Sequence, residues 1–471
     1  MGHLLKLSAV LTFCFLCGLP ATGQRQYKAQ SVLAAGQWGK MAVTSAGVYK
    51  VDVPFLNKLG FSGALPSAQI RLFGRAGGML PEGNGAPYVD DLQELALQVV
   101  DGGDGVLNGS DYVLFYSPGP HQWVADSVNR SFRHVKNLYA EKCFYFLSIG
   151  GAGKRIEDGK MFPNPFAPVT TFDERYFHEL DSVNFLASGR EWFGEEFADA
   201  PGRTLQKTFL FPFNDVVMGQ PVTIRSSVVS RSVGTGSRFD VAANGQVVQQ
   251  LTLAAVNGLP YNLFAQRAEG VVPFTASSSN VSISFWYVPG SFNAQGWLDW
   301  FELFCRRPLT LNNNSQLLFR DWSSVGTAAA TFRINTNTPQ TQVWDVTDVL
   351  TPVKMQGNFS NNQVLFTNDA QHLREYVAFA QTFLTPEAIG PVAPQNLHST
   401  TETDYFIITH PQFAAQAQRL AGFHQDKGGL RTLVVTAEQV FNEFAGGQPD
   451  PTAIKDFLKM YYDRYRGTWD Q

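Results

Sequence analysis

Near residue 400 the hydrophobic pattern of this chain changes period. Upstream, apolar residues alternate with polar ones, as in Val222-Thr223-Ile224-Arg225 and Val281-Ser282-Ile283-Ser284-Phe285, the pattern of strands with one buried face. Downstream, Asp404-Tyr405-Phe406-Ile407-Ile408-Thr409 is almost continuously apolar, as parallel strands buried on both faces are. A helical pattern follows, with Phe413, Ala417, Leu420 and Ala421 on one face and Gly428-Gly429 as its stop. Leu430 to Thr436 forms the next strand, and a second helix begins near Ala437. A third helix opens after Gly446-Gly447, with Asp450 as N-cap and Pro451 in its first turn. Ile454, Phe457, Leu458, Tyr461 and Tyr465 mark its buried stripe. Strand-helix-strand-helix is the opening of an α/β parallel sheet. The expected fold is therefore multidomain: mainly β, then the start of an α/β domain.

That sheet is expected to continue beyond Gln471, because two parallel strands need neighbours on their open edges. The chain is thus expected to be the N-terminal part of a longer protein. Within the β portion, Val48 to Val53, Ile70 to Gly74 and Tyr112 to Tyr116 read as short strands between Gly-rich turns. Residues 155–310 read as a β-sandwich or jelly roll, closed by the aromatic strand Gly296-Trp297-Leu298-Asp299-Trp300-Phe301-Glu302-Leu303. A smaller β-rich segment runs through Val343-Trp344-Asp345-Val346-Thr347-Asp348. The predicted units are a signal peptide at 1–23, an N-terminal β-rich domain at 24–154, a β-sandwich at 155–310, a small β-rich domain at 311–398 and an incomplete α/β domain at 399–471.

The signal peptide rests on Lys6, the apolar run Leu7 to Leu19, and Ala21-Thr22-Gly23 as a small-x-small cleavage site. The run is too short to span a bilayer, which takes about 20 residues, so cleaved export is expected. Charge excludes one class of partner. Lys and Arg number 36 against 40 Asp and Glu, a net −4, and no basic cluster is present to meet nucleic-acid phosphates.

Candidate chemistry is sparse. Cys143 and Cys305 survive signal removal, and each sits in an apolar run, which suits buried, inert thiols better than a nucleophile. Asp101, Asp104 and Asp111 lie on a Gly-rich loop that resembles half of a calcium loop. An EF-hand register would put Val100 and Gly102 at ligand positions, which neither can fill. A structural turn is the expected reading, with no metal and no cofactor. His410 stands at the carboxyl end of a parallel strand, where open α/β sheets bind ligands. Beside Pro411, a turn role is the expected one, with lining of a site as the alternative. His424 is expected to face solvent. Aromatic residues of the sandwich are expected to point inward, with sugar stacking as the alternative.

The α/β opening resembles the gingipain-type peptidases, peptidase family C25. The resemblance is carried by Asp404 to Pro411, Ala417-Gln418-Arg419-Leu420-Ala421, Gly429-Leu430-Arg431-Thr432, Val435 to Phe444 and Asp450 to Phe457. Upstream, Gly78 to Glu82, Asp90-Asp91-Leu92, Trp297 to Trp300, Trp344 to Asp348 and Gln395-Asn396-Leu397-His398 resemble the N-terminal region of the family's type IX secretion sortases. The resemblance implies a caspase-like fold with a Cys nucleophile and a partner His. Both are expected downstream of Gln471, so no catalytic residue is assigned in this chain. It further implies an exported enzyme at the outer-membrane surface that removes C-terminal targeting domains from secreted proteins and links them to a lipopolysaccharide-type acceptor, working with outer-membrane secretion-system subunits. The alternatives are a C25 peptidase that is itself secreted cargo, and a non-enzymatic glycan-binding or adhesion protein.

Overall fold

The structure is a computed structural model and describes residues 25–163, 167–187, 189–312 and 315–465. The expected signal peptide lies outside the described residues. The chain is mainly β, with an α/β segment at its C-terminal end.

The alternating segments pair as a two-sheet sandwich. One sheet orders the strands Thr171–Glu179, Gln295–Pro308, Pro221–Arg231 and Gln266–Thr275; the other orders Gln206–Leu210, Ser282–Val288, Ser237–Ala243 and Gln246–Leu253. Their facing sides bury Ile224, Val228, Phe239, Val241, Phe285, Leu298 and Phe301 in one core. The edge strand Gln266–Thr275 alternates half-buried and exposed along its whole length, as the period-two reading requires.

The segments before and after the sandwich are woven together. Trp38–Val43 is fully buried and lies between Cys143–Ile149 and Glu387–Val392 in one five-stranded sheet. Glu157–Asp158 pairs with Val353–Lys354. The sandwich is joined to the later segment by ion pairs that take arginines out of water. Arg320, whose side chain is 2% exposed, reaches Glu375 at 3.0 Å, and Arg175 reaches the same carboxylate at 2.7 Å. Within the sandwich itself, Arg307 bridges Glu174 and Asp215.

The predicted strand-helix-strand-helix-helix order is present: Tyr405–Thr409, Ala414–Gly428, Thr432–Thr436, Ala437–Phe444 and Thr452–Tyr465. Gly429 closes the first helix in the left-handed conformation, φ +65°, where a side chain would be strained. Three details differ from the sequence reading, one of them Leu458, which the predicted stripe of the third helix included and which is exposed. The strand Tyr405–Thr409 is half-buried throughout, because its two-stranded sheet leaves one edge of each strand unpaired among the described residues. Of the stripe assigned to Ala414–Gly428, only Ala417 and Ala421 are buried, while Phe413 and Leu420 are exposed. No helix among the described residues is long and apolar enough to cross a membrane.

Candidate functional site

The two α/β strands run parallel, from Tyr405 opposite Thr432 to Thr409 opposite Thr436. Ligands of open α/β sheets sit beyond such carboxyl ends, which here are His410 and the Thr436-Ala437 junction. His410 Nδ1 accepts the Gln412 backbone N–H at 3.3 Å and caps the short turn Pro411–Phe413. Its ring is spent on the turn, on an exposed surface. Thr436 forms a capping box with Gln439, each side chain accepting the other's backbone N–H. At these strand ends His410 and Thr436 are thus engaged in turn and cap hydrogen bonds. His424 departs from expectation: it is half-buried, its ring 4.4 Å from that of Tyr405, because the helix folds back over the strand.

The described cysteines are elsewhere. Cys143 and Cys305 are free and buried, in separate apolar cores, and burial pushes each thiol up to about 12. A thiol held protonated is a poor nucleophile. Both are expected to resist iodoacetamide in the native protein and to label fully in denaturant; fast native labelling of either would contradict this placement. The carboxylates of the Gly-rich loop are spent on their surroundings. Asp101 accepts from Gly103 N–H and Ser67 hydroxyl, Asp104 from Val106 N–H, and Asp111 from Asn108 N–H. Among the described residues, no three His, Cys, Asp or Glu side chains are disposed to hold a metal. A cleft of about 960 Å³ between the hairpin Gln122–Val135 and the sandwich is lined by Arg130, Arg133, Phe304 and Trp322, with no residue from the α/β segment.

What the α/β segment does carry is a buried polar seam against the N-terminal β segment. His398 has its Nδ1 2.6 Å from Glu443 Oε2 and its Nε2 3.1 Å from Asp90 Oδ1. Glu443 is fully buried and also accepts the Leu397 backbone N–H and the Gln395 amide. Burial alone would lower the imidazole; the hydrogen bonds to Asp90 and Glu443 outweigh it and raise it to about 9. Asp90 is shifted down, since its bonds to His398 and the Lys28 N–H outweigh burial. Phe444 stacks on the His398 ring at 4.9 Å.

Further along, Lys40 donates to Asn442 Oδ1 at 2.8 Å, with both residues buried, and sits over the Phe144 ring. Burial lowers this amine, against the opposing pull of Glu438. Asp450 caps its helix through Thr452 N–H, as predicted, and its second oxygen accepts Leu80 N–H at 2.7 Å. Arg25 pairs with Asp456, and Tyr27 donates to Asp463.

Several pieces that carried the resemblance thus converge: Asp90-Asp91, Gly78 to Glu82, Gln395 to His398 and Asp450 all meet at this seam. Glu443, Asn442 and Lys40 were not singled out from sequence. A signal was available, because Glu443 falls three residues after Val440 and one before Phe444, on the buried stripe of its helix. A charge placed there requires a partner.

Residues 398–469 match the model of peptidase family C25. Among solved structures, the chain is similar to the dimeric latent PorU of Porphyromonas gingivalis, at 26% identity and TM-score 0.79 over 94% of this chain and 41% of that one. The chain thus spans less than half the length of that protein. Two small carbohydrate-binding modules align with part of the chain. The CBM36 module solved with calcium and xylotriose has 12% identity, 29% and 99% coverage and TM-score 0.17. The C-terminal CBM6 of a Zobellia galactanivorans enzyme has 12% identity, 28% and 98% coverage and TM-score 0.16. No curated protein matches the chain by sequence. The chain is PorU-like in structure, with a C25 peptidase segment at its C-terminal end.

Proposed function

We propose that this PorU-like chain is the N-terminal part of an exported gingipain-type cysteine peptidase that trims C-terminal targeting domains from type IX secretion cargo and transfers the cargo to a surface glycolipid. The observation that carries this reading is the joint occurrence of the C25 match at residues 398–469 and PorU likeness over 94% of the chain. In this reading a His takes the proton of a Cys thiol, and the thiolate attacks the scissile carbonyl while backbone N–H groups hold the oxyanion. Collapse to the thioester breaks the peptide bond as the His returns the proton to the departing amine of the targeting domain. Water resolves the thioester to an acid; an amine on the acceptor resolves it to a new amide. No residue of this chain is assigned to that Cys–His pair.

The contribution of these residues is placement. The β domains, with residues 155–310 as the sandwich unit and 311–398 bracing it, hold the first layer of the catalytic sheet through the buried seam. Residues 24–471 alone are accordingly expected to show no thiol-dependent peptidase activity. The decisive test is in the host: after gene deletion, type IX cargo is expected to keep its C-terminal domain, read by mass spectrometry of cargo C-termini. Correctly trimmed cargo in the deletion strain would refute the function.

A further inference from the structure

One end of the sandwich is built from loops whose apolar side chains stand out into solvent. Leu259, Tyr261 and Leu263 are 61%, 101% and 62% exposed, and Phe292 is 94% exposed. Leu186 and Val233 add to them from two further loops. These loops lie side by side. Val233 bridges Val256, Ser232 and Ser291 meet hydroxyl to hydroxyl, and Phe185 packs on Phe264 at 5.0 Å.

The projection is not an accident of loose chain. The turn that carries Leu259 and Tyr261 is fixed by Asn257, whose side-chain oxygen accepts the Leu259 N–H, and by the Asn262 N–H to Leu259 carbonyl bond. Arg231 donates to the Phe264 carbonyl beneath it. Folding thus holds large apolar groups at the tips, where burial against the protein itself is impossible, and a patch of this kind marks an interaction surface.

Charge decides the occupant. Residues 254–265 and 289–294 contain no Asp, Glu, Lys or Arg. Behind them the exposed arginines are already neutralised: Arg190 by Glu82, Arg238 by Asp240 and Arg267 by Glu191. Tips that carry no charge, in front of exposed arginines that are paired, offer little ionic hold to a charged protein face or an anionic headgroup. Separate protruding tips, Leu and Phe with a Tyr among them, suit an interfacial medium into which each inserts independently.

We propose that this end of the sandwich inserts Leu259, Tyr261, Leu263 and Phe292 into the interfacial zone of a lipid bilayer, by apolar contact and without selection for headgroup charge. This surface is independent of the peptidase reading, since it uses no residue of the α/β segment. The test is co-flotation of the purified protein with phosphatidylcholine vesicles, with and without added phosphatidylglycerol. Binding to both is expected, and it should persist when salt rises from about 0.1 M to about 1 M, where ionic attraction is screened.

The triple variant Leu259→Ser, Tyr261→Ser and Leu263→Ser is expected to lower vesicle partitioning about ten-fold or more, with an unchanged melting profile because all three side chains are exposed. Four results would overturn the proposal: no flotation, flotation only with the anionic lipid, flotation abolished by salt, or flotation retained by the triple variant. A concentration-dependent dimer in sedimentation that the triple variant abolishes, without vesicle binding, would assign the surface to a second copy instead.

Discussion

Replacing His398 with alanine is expected to cost about 3 kcal/mol of folding stability, near the low end for stripping one partner from a buried ionic pair. The cost falls on the carboxylate left behind. Glu443 has no exposed surface, and although it keeps the Leu397 and Gln395 N–H groups, its countercharge is gone. The sign of the pH dependence follows from the raised imidazole. Its folded value is about 9 against an ordinary 6.5, so the stabilisation is complete below about 6.5 and lost as pH rises through about 9. Asp90, shifted down, acts oppositely: its share is present above the ordinary carboxylate range and lost as pH falls through its lowered value. Urea denaturation at several pH values is the measurement. The parent protein should weaken between about pH 6.5 and 9, and His398→Ala should flatten that limb. Hydrogen exchange should rise first in the helices Ala437–Phe444 and Thr452–Tyr465. An unchanged midpoint, or an unaltered pH profile, would show that the seam does not hold the α/β segment.

A loss of similar size, about 3 kcal/mol, is expected for Glu375→Ala, again because a buried partner loses its countercharge. Here two cations are stranded at once: Arg320, 2% exposed, and Arg175, 14% exposed. Glu174 stays 3.7 Å from Arg320 and offsets part of the loss. Glu375→Gln keeps hydrogen-bonding atoms but not the charge, so it should fall between parent and alanine variant. Because Glu375 and Arg320 belong to the later β segment and Arg175 to the sandwich strand Thr171–Glu179, limited proteolysis should begin at this junction. Equal stability of all three proteins would sink the claim that the network couples the two units.

Local pattern revealed the kinds of element and missed their partners. The switch from alternating to continuous apolar runs located the α/β segment, and Asp450 with Pro451 located its third helix, because caps and periods are short-range physics. The stripe of Ala414–Gly428 misled: Phe413 and Leu420 have the spacing of core residues yet lie exposed. Spacing defines a face, and only neighbouring elements determine whether it is covered. The seam was illegible for a different reason. His398 and Asp90 are 308 residues apart, and nothing local to either shows that they meet. They entered the sequence reading only as fragments of a family resemblance. His424 shows the limit on a smaller scale, since a polar residue on a helix reads as solvated until the strand beneath it supplies Tyr405.

The weave of the first sheet also bears on how the molecule is made. Trp38–Val43 needs Glu387–Val392 as its antiparallel neighbour, and the whole sandwich is threaded between them in the chain. A vectorially emerging polypeptide therefore presents Trp38–Val43 with one edge unpaired until the later strand arrives. Such non-local pairing is slow, since loop closure precedes any reward from contact. The sandwich, whose two sheets draw only on residues 171–308, can collapse first and shorten the effective loop. In the interval the open edge is a template for intermolecular pairing, so aggregation during synthesis would start at this first strand rather than at the α/β segment.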